Sequence, residues 1–189
     1  LNEIVTIDRN SIRIWQKKGK DFRMLQKIAG KSYNDYYTVD VADMKKTGIK
    51  QIYITNLGAN NRPLSFVIEW KDGKFVETST KLPWFIRVVN TLSGPKLLGQ
   101  RLGLVRPFDS PIHEIVWEDG KFKEGARMKI PQGLPVYNFT MDILDVGGSE
   151  KIGIIGFDRG YHGRTLASQQ AGGMAGQKSW IVNLDPAII

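Results

Sequence analysis

The chain has 189 residues, 41% hydrophobic and 24% charged, the balance of a folded globular protein rather than a disordered tail. With no cysteine it has no disulfide, thiol nucleophile or iron–sulfur cluster, and no run reaches the roughly 18–20 apolar residues of a membrane helix. Its 27 Lys and Arg against 19 Asp and Glu leave a net charge of +8, which raises nucleic acid, acidic glycan or anionic lipid as partners.

Every predicted element is a strand, because no window carries the 3.6-residue spacing of a helix. Glu3–Ile7, Ile12–Trp15 and Asp21–Ile28 come first, the last two joined by a wide loop through Gly19. A set of four follows at Tyr36–Val41, Gln51–Asn56, Phe66–Trp70 and Phe75–Thr78, then a second at Trp84–Val89, Lys96–Leu98, His113–Trp117 and Phe122–Gly125. Val39, Val41, Ile86 and Val88 alternate with Asp40 and Arg87, the period of two of a half-buried strand. Val136–Leu144 and Lys151–Phe157 open a last set. Trp70-Lys71-Asp72-Gly73-Lys74-Phe75 and Trp117-Glu118-Asp119-Gly120-Lys121-Phe122 predict tight hairpins, since Asp-Gly accepts the positive φ that such turns demand.

These elements repeat. Trp15, Trp70 and Trp117 are spaced by 55 and 47 residues, and Tyr37–Asp43, Trp84–Asn90 and Phe139–Asp145 align at steps of 47 and 55. Four strands per repeat of about 50 residues is the arithmetic of a β-propeller blade, whose large side chains are buried between neighbouring blades. The expected fold is therefore all-β: a β-propeller, or contiguous blades of one, over 1–189, with blade parts 1–30, 34–80, 82–128 and 134–189. Two closures fit. Trp180–Leu184 supplies a missing strand to a small four-bladed ring, or the chain, which starts at Leu1 rather than Met, is an excerpt of a larger one. The Gly-, Ala-, Ser- and Gln-rich stretch 158–178, which lacks the repeated hairpin, favours the excerpt.

Val41-Ala42-Asp43-Met44-Lys45-Lys46-Thr47-Gly48-Ile49-Lys50-Gln51 and Leu144-Asp145-Val146-Gly147-Gly148-Ser149-Glu150-Lys151 resemble the Asp-rich loop and following strand of FG-GAP/VCBS-type repeats of integrin-like propellers. That resemblance implies calcium bound through carboxylates at the first, third, fifth and ninth loop positions. Only the first is kept here, as Asp43, and Lys45, Thr47 and Gln51 stand at the others. The next copy begins at Asn90 with no carboxylate after it, and the last keeps Asp145 alone. The expectation is thus no calcium and no other cofactor, with Asp43, Asn90 and Asp145 capping their own turns as Asx residues do.

No catalytic residue is assigned. His113 reads as a structural strand histidine, and Glu69, Glu114, Glu118 and Asp119 recur within the hairpins as architecture. Tyr161-His162-Gly163-Arg164 carries residue types that a polysaccharide lyase uses, a base with an arginine for a uronate carboxylate, and this gives the alternative reading. The expected function is a non-catalytic binding or assembly module, with a protein partner first, an acidic glycan second and nucleic acid disfavoured. The resemblance and the lack of cysteine imply an extracytoplasmic place, in a bacterial envelope or secreted protein. Recognition by propellers runs through loops, here Lys45–Lys50, Leu57–Pro63, Leu92–Pro95 and Val105–Pro111.

Overall fold

The computed structural model describes residues 3–59, 62–91, 93–129, 133, 135–138, 143–146 and 149–152. Tyr161, His162, Arg164 and the Trp180–Leu184 strand lie outside them. The described fold is all-β, and every pair of neighbouring strands is antiparallel. Sheet A is a three-stranded meander of β1 (Glu3–Asp8), β2 (Ser11–Lys18) and β3 (Asp21–Ala29). Sheet B is a four-stranded meander of β4 (Asp35–Ala42), β5 (Gln51–Leu57), β6 (Ser65–Lys71) and β7 (Lys74–Leu82). Sheet C repeats it with β8 (Phe85–Thr91), β9 (Gly94–Gln100), β10 (Ile112–Glu118) and β11 (Lys121–Arg127). A last pair, β12 (Ile143–Val146) and β13 (Ser149–Ile152), follows.

The Asp-Gly hairpins form as their chemistry requires. Asp72 and Gly73 have φ of 50° and 79°, Asp119 and Gly120 of 49° and 74°, so both central residues of each two-residue turn are left-handed. The link between β2 and β3 is tighter than its sequence suggests. The ladder runs on to Lys18 opposite Asp21, leaving a two-residue turn at Gly19 and Lys20. A bulge after Ile14 also sets Trp15 opposite Met24, and Phe22 opposite Lys17, so this copy lacks the Trp–Phe pair of the other two.

Packing follows from stacking the sheets. Ile12 and Ile14 of sheet A meet Tyr36, Ile52, Ile54, Phe66 and Ile68 of sheet B in one core. The alternate residues of the same sheet B strands, Ala42, Tyr53 and Val67, meet Trp84, Ile86, Leu97, Ile115 and Phe122 of the next sheet in a second. Both faces of sheet B are thus covered, and β5 is buried from Gln51 to Asn56 with no alternation. In β4, Tyr36 and Val39 pack into the first core and Ala42 into the second, while Val41 is exposed. A bulge between Tyr36 and Thr38 accompanies this change of face. The aromatic core is also partial: Trp84, Phe85 and Tyr53 are buried, whereas Trp70 and Phe22 are about half exposed.

Residues Val136–Asn138 form a 3-10 turn rather than the start of a strand. The Val136 N–H donates to the Gln100 side-chain oxygen at 3.0 Å, and Val136 packs into a third core with Phe85, Val89, Leu98 and Ile112. This anchorage bends the chain toward sheet C before β12 begins.

Candidate functional site

Two of the loops expected from the sequence to carry recognition, Lys45–Lys50 and the described part of the next, Ser93–Pro95, line one cleft of about 340 Å³ between sheets B and C. Its walls are Met44, Lys45 and Lys46 on one side, and Ser93–Lys96 with Glu114–Trp117 of β10 on the other.

The sheet B wall is built around Asp43 and Gln51. The Asp43 carboxylate accepts the N–H groups of Thr47 at 3.0 Å and Gly48 at 2.6 Å. Partial desolvation pushes its pKa up, but those two amides, with Gln51 and the Thr47 hydroxyl, outweigh it and hold the group below the usual carboxylate range. The Gln51 side-chain oxygen accepts from the Met44 and Lys45 amides and from the Tyr53 hydroxyl, so this loop is fastened by side chains from both ends. Gly48 takes φ of 80° and Lys46 of 55°, which turns the Lys46 side chain outward. Asp43 thus caps its turn. The donor set does not suit calcium, because the one carboxylate faces N–H donors and the third loop position is a lysine.

Lys45 is the centre of the cleft floor. Its ammonium is ion-paired with Glu69 of β6 and lies 3.6 Å from the centroid of the Trp117 ring of β10, with the Phe122 ring 5.7 Å away. A half-desolvated cation–π contact of this kind adds about 1–2 kcal/mol to the ion pair. Glu69 also accepts from the Thr78 hydroxyl at 2.8 Å. Burial alone raises Glu69, yet Lys45 and Thr78 together lower it below the ordinary glutamate value. Lys45 therefore ties sheet B to sheet C, its charge met within the fold. Opposite, Lys96 lies 3.7 Å from Glu114, and Lys46 remains exposed at the rim.

The other expected residues fall elsewhere. The 57–63 loop closes through a Leu57–Pro63 bridge and a Gly58 N–H to Arg62 oxygen bond, at the far end of sheet B. The 105–111 loop follows β9, at the corresponding end of sheet C. Asn90 does not cap its turn, since it is a ladder residue opposite Pro95; the cap is Thr91, whose hydroxyl bonds the Gly94 oxygen at 2.6 Å and accepts the Ser93 N–H. The Asp145 side chain lies outside the described residues, though its backbone pairs with Glu150. A ring nitrogen of His113 sits 3.3 Å from the Gly125 oxygen of the adjacent strand, a structural role. Glu69 and Trp117 are the site residues that the repeat pattern absorbed into its hairpins. Nothing local marked them, because Lys45 is 24 residues from Glu69 and on another sheet from Trp117.

Among the described residues no three His, Cys, Asp or Glu side chains are grouped to hold a metal, and no helix is long and apolar enough to cross a membrane. Comparison with protein-family models, curated proteins and solved structures gave no match.

Proposed function

We propose that the chain is a run of β-propeller blades acting as a non-catalytic binding or assembly module of a bacterial envelope or secreted protein. The observation that carries this reading is the way one sheet hands over to the next. The first strand of sheet B packs on β1, the first strand of sheet C packs on β5 and β4, and β12 packs on β8. Side chains lock the step between sheets B and C: the Thr55 hydroxyl bonds the Ile86 backbone, the Ser65 hydroxyl bonds the Trp84 oxygen at 2.6 Å, and Asp40 accepts the Val88 N–H at 2.9 Å. A recurring sheet-on-sheet step is how blades build a ring.

The cleft supports recognition rather than chemistry. Lys45, Glu69, Asp43 and Gln51 spend their hydrogen-bonding capacity on one another and on backbone, as scaffold residues do. The exposed Lys46 at its rim is suited to an acidic partner surface.

The test places a photo-crosslinking residue at Lys46 or Ser93, with Trp70 as comparison, in the native host. One discrete adduct from the cleft positions alone is expected, and none from either position overturns the reading. In parallel the protein is incubated with polygalacturonate and alginate. Release of unsaturated uronate products overturns the non-catalytic reading in favour of a lyase, and saturable binding without cleavage makes the partner an acidic glycan.

A further inference from the structure

The ends of sheets B and C opposite the cleft carry a feature that the module reading does not use. The loop between β9 and β10 holds Leu104 and Val105 at 103% and 89% exposure, as open to solvent as side chains can be. Its base is firmly built. The Gly103 N–H bonds the Pro107 oxygen at 2.9 Å, the Asp109 N–H bonds the Arg106 oxygen at 3.2 Å, and the Ser110 hydroxyl reaches the Leu102 oxygen. The Gln100 amide clamps the Phe108 and Ser110 oxygens, and the Phe108 ring packs on Phe85 and Tyr137. Gly103 makes the crossing possible, since a Cβ there would stand 1.9 Å from the Arg106 oxygen. The loop is therefore held with its two aliphatic side chains pointing away from the core at its foot.

The surroundings of the tip are basic. Arg106 is adjacent and exposed, Arg62 is exposed on the neighbouring 57–63 loop, and Lys129 is exposed just beyond β11. All three lie at one end, because Leu57, Phe108 and Met128 pack against the same core. Arg101 is committed elsewhere, bonded to Glu124 at 2.6 Å and lying over the Trp84 ring. Asp109 follows in the same loop, and Asp35, opposite Leu57 at this end of sheet B, is ion-paired with Arg9.

We propose that the Leu104–Val105 tip is an interfacial anchor that inserts into an anionic lipid bilayer, with Arg62, Arg106 and Lys129 meeting the phosphate headgroups. Shape and charge favour lipid over protein. A convex tip of two aliphatic residues offers far less than the roughly 800 Å² per partner of a specific protein interface. A bilayer needs only a small apolar wedge, flanked by cations that the negative surface attracts. The net charge of +8 adds long-range attraction to the same surface.

Co-sedimentation with vesicles of phosphatidylcholine alone or mixed with phosphatidylglycerol tests this directly. The full chain is expected to bind the mixed vesicles and not the neutral ones. The Leu104→Asp, Val105→Asp double variant should lose on the order of tenfold in partitioning. Phe22→Asp, at an exposed apolar residue of the opposite end, should leave it unchanged. Because the chain has no cysteine, Leu104→Cys and Phe22→Cys each give a single site for an environment-sensitive dye. Emission should shift to the blue on mixed vesicles only from position 104. Failure of the full chain to bind mixed vesicles overturns the proposal. So does equal binding by the double variant, which would mean attraction through surface charge alone, or the same dye response at both positions.

Discussion

The Trp70 and Trp117 hairpins have nearly the same sequence, the same pair of left-handed turn residues and the same edge-to-face Trp–Phe contact. The ring centroids are 4.8 Å apart at 67° in the first and 4.7 Å at 62° in the second. Their surroundings differ. Trp70 is 46% exposed, while Trp117 is half-buried beneath the Lys45 ammonium, and its partner Phe122 is only 8% exposed. Phe75 is only partly buried against the first core and is also held by its backbone, with its N–H and C=O both bonded to the Gln26 side chain of β3 at 2.9 and 2.8 Å. One local motif is thus joined to the preceding sheet by full side-chain burial in one place and by partial burial with an amide clamp in the other.

The hairpins are expected to differ most at the phenylalanines. Phe122→Ala should cost about 3–5 kcal/mol in urea unfolding, the range for a buried aromatic, and Phe75→Ala clearly less. Equal losses would mean that the two hairpins are equally buried. Trp117→Ala should likewise exceed Trp70→Ala, by about 1–2 kcal/mol, because it also removes the cation–π contact of Lys45. Gln26→Ala removes two neutral hydrogen bonds, for a loss of about 1–2 kcal/mol that should be felt in the first hairpin and not the second. Amide exchange at Phe75 and Phe122 reads that difference directly. Smallest and equal are Gly73→Ala and Gly120→Ala, about 1 kcal/mol each, since both sites have positive φ and open space around the missing Cβ.

Acid separates the hairpins in another way. Glu69 and Asp43 have folded pKa values below their ordinary ones, so their stabilisation is complete above the unfolded value and is lost as pH falls through the folded one. Asp40 has the opposite sign. Desolvation raises it, although Arg87 and the Val88 N–H pull it down, so between its ordinary and folded values stability falls as pH rises. Below the ordinary carboxylate range the Trp117 indole NMR signal should therefore move as Glu69 releases Lys45, and the Trp70 signal should move less. Glu69→Gln should abolish that titration of Trp117.

Strand order and hairpin type were legible because they depend on neighbours in the chain. Asp-Gly forms a left-handed turn wherever it occurs, and the repeat of Trp-to-Phe segments placed β6 to β7 and β10 to β11 within a few residues. Burial was not legible. The alternation of Val39 and Val41 with Asp40 suggested one apolar face, whereas Val41 is exposed and β5 is buried on both sides, because a sheet stacks on each face of sheet B. The cleft was legible only as two loops. Lys45 read as a charge in a turn, and its pairing with Glu69 and Trp117 required two sheets to meet. The clamp of Val136 by Gln100, which turned an expected strand into a 3-10 turn, spans 36 residues and leaves no local trace.

An all-β chain of repeated hairpins follows from local chemistry alone, because turn preference and strand alternation act over a few residues. Which Trp is covered, which lysine is spent within the fold, and which loop holds Leu104 and Val105 out in water depend on how the sheets pack. Those outcomes turn on the desolvation and pairing of groups that the chain order keeps far apart.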